Sequence, residues 1–490
     1  MKNSISSHSA ALVSVLMGLM VGLASHVTAA AQTAATAETL RAGAATSNIT
    51  PWLGISMNGH FTDRKAVHVH DELHARALVL DDGRTRLALV ACDSCVIHRD
   101  IFDEAKRLAE QATGIPAAHM LMCATHTHTG ATCTAIFSSE PDPAYQEFLI
   151  RRIADAVTRA AHNCAPARIG WGSGHKPDHL FNRRWYMKEG TIPANPFGET
   201  TDRVRMNPPR QSPDLLEPAG PTDPQVGVLS VRSNEGRPLA VLANYGLHYI
   251  GDTGPAEISA DYFGAFADRI QALLDADRLD PPFVGILTNG ASGDVNNINF
   301  RQPAVAGKPY TRIRAVADDL AGEVARVIRA IDHRSRAALV VRQTEITLGV
   351  RRPNDADLER ARSIIAAAEG RELKSPEEVF ANETIKLADY PSTVDVPLQV
   401  IRIGDAAIVA IPCEVFAEIG LEIKQKSPIK PTFVISLANG YNGYLPTPAQ
   451  HALGGYETWR ARSSYLEVDA APKIVEQVLA LLHSLPTESR

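Results

Sequence analysis

The sequence predicts an α/β fold, a single large domain with mixed β-sheets flanked by helices and a site in loops at strand ends. Three observations lead to this prediction. Apolar β-type runs alternate with helical periodicity along almost the whole chain. No shift in composition marks an internal boundary, although 490 residues would allow two or three domains of about 150 residues each. Polar loops directly follow several of the apolar runs.

The strands are predicted from short apolar runs bounded by turn residues, and the helices from apolar positions three and four residues apart. The predicted strands are residues 76–80, 85–91, 120–124, 225–231, 239–245, 283–287, 339–348, 398–403, 406–411 and 432–437. The predicted helices are residues 100–114, 142–164, 260–276, 318–331, two between 355 and 387, 415–424 and 470–482. Residues 172–225 and 446–464 are weakly periodic and are predicted to be long functional loops.

The composition is that of a globular protein and excludes several classes. With 45% hydrophobic and 21% charged residues, the chain is unlike disordered or coiled-coil proteins. The formal charge of -6 is spread without a basic stripe, which argues against nucleic acid as a partner. No run after the N-terminal segment is long and apolar enough to predict a transmembrane helix. The six cysteines predict disulfides plus buried thiols, with Cys92/Cys95 and Cys123/Cys133 as the natural local pairs.

The first 31 residues have the pattern of an export signal. Lys2 is the only charged residue before Glu38, an apolar run covers residues 11–24, and an A-x-A-like site ends at Ala31. The apolar run is shorter than the roughly 20 residues that a membrane-spanning helix needs. We therefore expect cleavage of residues 1–31, and a mature protein of residues 32–490 that is periplasmic or secreted.

The sharpest local feature contains His126 and His128 and directly follows an apolar strand. If the strand continues, side chains two residues apart face the same way, so both imidazoles would aim at one point and could bind a metal ion. They could equally be two polar histidines in a loop.

Four further polar loops follow predicted strands. They carry His248, Glu414, Tyr441 and the small-residue segment 288–297. Each has a plain structural interpretation: a satisfied histidine, a carboxylate that complements a helix dipole, a packed tyrosine and a turn. Together, however, two histidines and a glutamate with one open position are the ligand set of a hydrolytic zinc site.

The five loops, in this order, resemble the neutral/alkaline (non-lysosomal) ceramidase family, and the resemblance extends over about residues 41–485. The motifs that carry it are Thr125-His-Thr-His-Thr-Gly130, similar to T-H-T-H-S-G; Val241-Leu-Ala-Asn-Tyr-Gly-Leu-His248, similar to N-F-A-V-H; Gly293-Asp-Val295, similar to the start of G-D-V-S-P-N; Pro412-Cys-Glu414, similar to P-G-E; and Asn439-Gly-Tyr441, similar to N-x-Y.

This resemblance implies the roles of the site residues. The zinc ligands fall on His126, His248, Glu414 and Tyr441, while His128 and Arg183 fall on residues near the scissile amide. A metal-activated water would attack an amide carbonyl of a small-molecule or lipid-like substrate, ceramide-like ones included. His128 would act as proton shuttle or oxyanion partner. For a sphingolipid substrate, we expect an apolar groove beside the metal.

Two departures from the family pattern keep other functions open. Asn296 stands where the family has a serine, so a covalent serine route at that position is excluded and Asn296, with Arg183, would position substrate. The chain also stops where the family's catalytic domain ends, so the C-terminal Ig-like domain is expected to be absent.

The first alternative is a metal-dependent hydrolase or lyase acting on a carbohydrate or other anionic substrate, favoured by arginines at positions 183, 184, 203, 205 and 210. The second is a non-catalytic binding protein on the same scaffold. Iron or manganese could replace zinc in a site with nitrogen and oxygen ligands.

Overall fold

The computed structural model describes residues 39–486, so the predicted export signal lies outside the described residues. The helices are α1 (Arg99–Thr113), α2 (Pro143–His162), α3 (Asp261–Leu273), α4 (Thr311–Ala330), α5 (Asp355–Ala367), α6 (Pro376–Leu387), α7 (Ala417–Lys426), α8 (Pro448–Leu453) and α9 (Ala470–His483). Short 3-10 turns cover Ala117–His119 and Tyr456–Thr458. Among residues 39–486, no helix combines the length and the apolar character that crossing a bilayer requires.

The strands, in chain order, are β1 (Arg41–Asn48), β2 (Ser56–Met57), β3 (Arg64–Lys65), β4 (His68–Val69), β5 (His74–Asp81), β6 (Arg86–Cys92), β7 (Met120–Ala124), β8 (Ala165–His175), β9 (Phe181–Asn182), β10 (Arg184–Met187), β11 (Val204–Met206), β12 (Leu215–Pro218), β13 (Gln225–Ser233), β14 (Pro238–Tyr245), β15 (Glu257–Ile258), β16 (Val284–Asn289), β17 (Val295–Asn296), β18 (Leu339–Gly349), β19 (Thr393–Ile403), β20 (Ala406–Ala410), β21 (Glu414–Val415), β22 (Thr432–Ile435) and β23 (Tyr444–Leu445).

Two mixed sheets form the framework. The larger has eight strands in the order β16-β14-β13-β8-β1-β5-β6-β7, and the smaller has four in the order β18-β19-β20-β22. The pairs β14/β16, β6/β7 and β20/β22 are parallel and the other neighbours in these sheets are antiparallel. The larger sheet curls so far that its two edge strands, β16 and β7, contact each other.

Helices cover the outer faces of both sheets, which gives four layers. Leu78 and Leu229 of the larger sheet share one apolar core with Ile401 and Phe433 of the smaller sheet. Helices α1 and α2 pack on one part of the larger sheet's outer face, and α3 and α4 on another part. Helices α7 and α9 cover the smaller sheet. The predicted mixed α/β class is confirmed.

Two strands of the larger sheet were not predicted, because their sequences are poor in large apolar residues. In β1, a Cβ on Gly43 would lie 2.3 Å from the carbonyl oxygen of Ala160 in α2. In β8, a Cβ on Gly170 would lie 2.1 Å from Cγ2 of Ile331, just after α4. The helices approach the sheet so closely here that side chains are excluded, and the apolar signal of a strand is lost.

Other sequence predictions also need correction. Helix α4 begins at Thr311, earlier than residue 318. The segment 172–225 is not one long loop, since it completes β8 and contains β9 to β12, of which β10, β11 and β12 form a small sheet.

The expected disulfides are absent, because all six cysteines, which lie within the described residues, are free thiols. Cys123 belongs to the core between the two sheets, whereas Cys133 belongs to the core beneath α1 and α2. These two side chains therefore lie on opposite faces of the larger sheet. Cys92 and Cys95 are likewise not bonded to each other, and the Cys95 thiol lies 3.8 Å from Nδ1 of His126.

Candidate metal centre

The predicted ligands come from loops that the curled sheet brings together. His126 lies two residues beyond β7 and His248 three residues beyond β14. Because β14 pairs with β16, and β16 contacts β7, these two loops meet. Glu414 and Tyr441 follow β20 and β22, the parallel pair of the smaller sheet.

His126, His248 and Glu414 form a compact buried group, with side-chain atoms of all three within 4.8 Å of one another. The Nε2 atoms of the two histidines are 2.9 Å apart. Oε2 of Glu414 lies 3.3 Å from Nε2 of His126 and 3.6 Å from Nε2 of His248. None of the three residues is more than 4% exposed.

Backbone carbonyls fix the orientation of both imidazoles. Nδ1 of His126 donates to the carbonyl oxygen of Cys95 at 2.8 Å, and Nδ1 of His248 donates to that of Ser292 at 3.0 Å. A carbonyl can only accept, so Nδ1 carries the proton and the Nε2 lone pair of each neutral ring points into the group. His126 holds this orientation with a left-handed φ of 78°, rare for a residue other than glycine.

This donor set fits a divalent metal ion. Oε2 of Glu414 is buried and accepts no hydrogen bond from the described residues. Two lone pairs and a bare carboxylate oxygen at such short separations repel one another unless a proton or a metal ion lies between them. Two imidazole nitrogens and a carboxylate oxygen are typical zinc ligands, and iron or manganese is compatible with the same set.

The pKa values of the two histidines follow from the same geometry. Burial alone would lower the pKa of His126, but the Glu414 carboxylate outweighs it and raises this pKa to about 10. Burial, together with the positive charges of His126 and Arg183, lowers the pKa of His248 well below 6.5. A proton on His126 is thus favoured beside Glu414, whereas a second proton on His248 is disfavoured.

Tyr441 joins the group through Glu414. Its hydroxyl donates to Oε1 of Glu414 at 3.1 Å, and the side chain is buried. Burial and the adjacent carboxylate raise the pKa of Tyr441 well above its ordinary value. The structure therefore places Tyr441 where it orients the carboxylate, and its role as a direct ligand stays a prediction.

His128 also reaches the group, although by a turn and not by the continued strand that the sequence suggested, since β7 ends at Ala124. Its Nε2 lies 3.2 Å from Nε2 of His126, and its Nδ1 donates to the carbonyl oxygen of Gly59 at 3.0 Å. The ring of Tyr249 stacks on the imidazole at 3.7 Å. Gly59 has φ +101°, and a Cβ there would lie 2.5 Å from the imidazole, so this turn requires glycine.

Arg183 approaches the group from β9 and β10 and is almost completely buried. Its Nη1 lies 3.4 Å from Nε2 of His248, and its Nη2 donates to the hydroxyl of Tyr444 at 3.1 Å. Nε donates to Oε1 of Glu457 at 2.8 Å, while the other oxygen of Glu457 accepts from Arg184 at 2.7 Å. Sequence reasoning missed Glu457, because it lies in an aperiodic loop where no pattern distinguishes it from other acidic residues.

Asn296 has partners outside the group of His126, His248 and Glu414. Its Nδ2 donates to Oδ1 of Asn207 at 2.6 Å, and its Oδ1 accepts from the backbone N–H of Ile298 at 2.8 Å. Among the described residues, no hydrogen bond joins Asn296 to the two histidines or to Glu414. Its role in positioning substrate stays a prediction.

Two cavities adjoin at this site. A small cavity of about 40 Å³ is lined by His126, His128, Glu414 and Tyr441, among others. A larger cavity of about 500 Å³ is formed by segments within residues 192–206, 375–377 and 455–459 and has mainly apolar walls. Tyr456 lines both cavities, so the larger one begins beside the small cavity that His126 and Glu414 line.

Comparison with known proteins adds to this geometry. No protein-family model matches the chain. The structure of neutral ceramidase from Pseudomonas aeruginosa superposes with a TM-score of 0.67 at 19% sequence identity, covering 92% of this chain and 76% of the ceramidase chain. A structure of ceramidase complexed with C2 gives a TM-score of 0.69 at 18% identity, with the same coverage. The chain has the neutral ceramidase fold. The resemblance to the neutral ceramidase family is thereby confirmed at the level of the fold. Within this fold, His126, His128, Glu414 and Tyr441 line one small cavity, and His248 adjoins it.

Proposed function

We propose that the chain is an exported, zinc-dependent hydrolase that cleaves the amide bond of an N-acyl substrate, ceramide-like lipids included. The observation that carries this proposal is the buried group of His126, His248 and Glu414, whose lone pairs converge beside an apolar cavity. The ceramidase fold and the export pattern of residues 1–31 support it. Residues 32–490 would then form the catalytic part.

His126, His248 and Glu414 would hold the zinc, with Tyr441 as the fourth ligand. When bound in such a site, zinc lowers the pKa of water to about 7 and polarises a carbonyl group. The hydrogen bonds from Nδ1 to the carbonyl oxygens of Cys95 and Ser292 orient both imidazoles so that Nε2 would be the ligating atom.

His128 would move the proton. Its Nδ1 donates to the carbonyl oxygen of Gly59, so Nε2 is the atom that would accept a proton from the attacking water and pass it to the leaving amine. Arg183 holds a fixed positive charge next to His248, where it would stabilise negative charge developing on the carbonyl oxygen. Asn296 would orient the substrate from the adjoining loop.

The apolar cavity is suited to an acyl or alkyl chain. Its volume of about 500 Å³ would accommodate a chain of more than ten methylene groups, and its walls would contribute about 0.8 kcal/mol for each methylene buried. The alternative of an anionic substrate gains less support. Arg183 and Arg184 share the single carboxylate of Glu457, which compensates part of their positive charge.

The metal content of the purified mature protein tests the proposed centre. We expect about one zinc per chain by mass spectrometry and hydrolysis of N-acyl substrates, because the three ligand side chains are already oriented. A His126→Ala/His248→Ala double variant should lose both. The matched control is His98→Ala/His483→Ala, which removes two exposed histidines. A folded wild-type protein that binds no metal after zinc is supplied would contradict the proposal and favour a non-catalytic binding protein.

Filling the apolar cavity should discriminate between substrates by chain length. Ala194 lines the cavity and is exposed, so Ala194→Trp adds bulk there without disturbing the core. We expect kcat/KM to fall about tenfold or more for long-chain N-acyl substrates, since several methylene groups lose their contacts, and to change little for N-acetyl substrates. Ala315→Trp on the exposed face of α4 is the control. Equal losses for both substrate classes would show that the acyl chain does not occupy this cavity.

A further inference from the structure

Lys106, on α1, is buried without a carboxylate partner. The residue is only 7% exposed, and its Nζ donates to the neutral side-chain amide oxygen of Asn439 at 2.9 Å. Among the described residues, no ion pair involves Lys106. By contrast Lys424, whose side chain is also largely buried, pairs with the carboxylate of Asp223.

The two carboxylates near Lys106 are already paired. Arg99 donates to Asp103 at 3.0 Å through Nε and to Glu345 at 2.6 Å through Nη2. These residues and Lys106 line a cavity of about 110 Å³, whose other lining side chains, from residues 117–118, β18, β19 and the loop of Asn439, carry no charge. Both carboxylates near Lys106 therefore form their close ion pairs with Arg99, and neither forms one with Lys106.

This environment favours the neutral amine. Burial lowers the pKa of Lys106 to about 8, with Asp103 opposing the shift and Arg99 reinforcing it. An amine with such a pKa is partly unprotonated near pH 7.5, and the unprotonated form is the nucleophile.

We propose that Lys106 is a covalent modification site for small uncharged carbonyl electrophiles that the 110 Å³ cavity admits. With isocyanic acid, the Nζ lone pair forms a bond to the carbon, and the electron pair of the C=N bond moves to the nitrogen of the reagent. A proton passes from Nζ to that nitrogen. Nothing leaves, and the product is a neutral carbamoyl-lysine.

Modification at Lys106 would act on the loop that carries Tyr441. Oδ1 of Asn439 accepts from Lys106 and also from the backbone N–H of Met122 at 3.1 Å. Asn439 has a left-handed φ of 63° and lies two residues before Tyr441. Replacing the ammonium group by a bulkier neutral one changes the contact that helps to hold this turn.

The test is limited reaction of the full-length mature protein with cyanate, followed by peptide mass spectrometry. At pH 7.5 the neutral fraction of Lys106 is about a hundredfold larger than that of an ordinary lysine. An amine of lower pKa is also a weaker nucleophile, which reduces this hundredfold advantage. We therefore expect carbamoylation of Lys106 to be about tenfold faster than that of Lys188, which is exposed. The largely buried, ion-paired Lys424 should react slowest. The ratio of Lys106 to Lys188 should be constant below about pH 8 and fall above it.

Two controls make the result specific to the folded environment. In guanidinium chloride the three lysines should react at similar rates, because unfolding removes the burial of Lys106. Lys106→Arg keeps a donor for Asn439 and should leave the reactivity of Lys188 and Lys424 unchanged. A Lys106 that reacts no faster than Lys188 in the folded protein would overturn the proposal.

Discussion

Replacing Glu457 by glutamine is expected to lower the free energy of unfolding by about 3–5 kcal/mol. Glu457 is fully buried, and its two oxygens accept from the buried Arg183 and Arg184 at 2.8 and 2.7 Å. The amide would leave two guanidinium groups in the interior without a counter-charge. Chemical denaturation of the wild type and of Glu457→Gln measures the difference.

The control is Glu147→Gln, which removes the same charge from an exposed pair with Arg151 and should change stability little. Because Glu457 orients Arg183, the Glu457→Gln variant should also lose kcat for amide hydrolysis while keeping its metal. Unfolding free energies that agree for the wild type and Glu457→Gln would show that the buried pair contributes no net stability.

The stabilising effect of Glu457 should depend on pH in one direction. Burial raises its pKa, but Arg183 and Arg184 outweigh burial and hold the pKa below 4.5. A carboxyl whose pKa is lowered by folding stabilises the protein above its unfolded pKa, and this contribution is lost as the pH falls through the folded value. The difference between wild type and Glu457→Gln should therefore be largest above about pH 5 and shrink below about pH 4.5.

Glu414→Gln should separate metal binding from folding. The amide keeps an oxygen for the hydroxyl of Tyr441 but replaces the bare carboxylate oxygen that faces the two histidines. We expect at least about a hundredfold loss of zinc affinity, since outer partners of metal ligands alone contribute 10- to 100-fold. Amide hydrolysis should be lost with the metal. In the presence of a chelator, the variant should still fold, because the amide has the same shape and its oxygen still accepts from the hydroxyl of Tyr441.

Tyr441→Phe is the companion variant. It removes the hydroxyl from Oε1 of Glu414 and leaves the packing of the ring, so zinc affinity should fall by about 10- to 100-fold. Isothermal titration with zinc and the hydrolysis rate at saturating zinc measure the two effects. A Glu414→Gln protein with wild-type zinc affinity would exclude Glu414 as a ligand.

Part of the site could be predicted from the sequence because the signal is local. His126, His248 and Glu414 each follow an apolar run, and a strand that ends in a polar loop is visible within about ten residues of sequence. The strands β1 and β8 were missed for the opposite reason. Helices pack directly on these strands at Gly43 and Gly170 and leave room only for small residues. This contact between distant segments produces no pattern in the local sequence.

The sequence by itself determined the α/β class, most of the helices and strands, and which residue types stand at the ends of the strands. The tertiary structure alone decided that the larger sheet curls until β7 and β16 touch, which brings His126 to His248 across 122 residues. It also decided that Glu457 pairs with Arg183 across 274 residues, and that the two carboxylates near the buried Lys106 pair with Arg99 instead. Helix and strand preferences act between neighbours in the chain, whereas charge compensation and ligand geometry depend on which distant segments pack together.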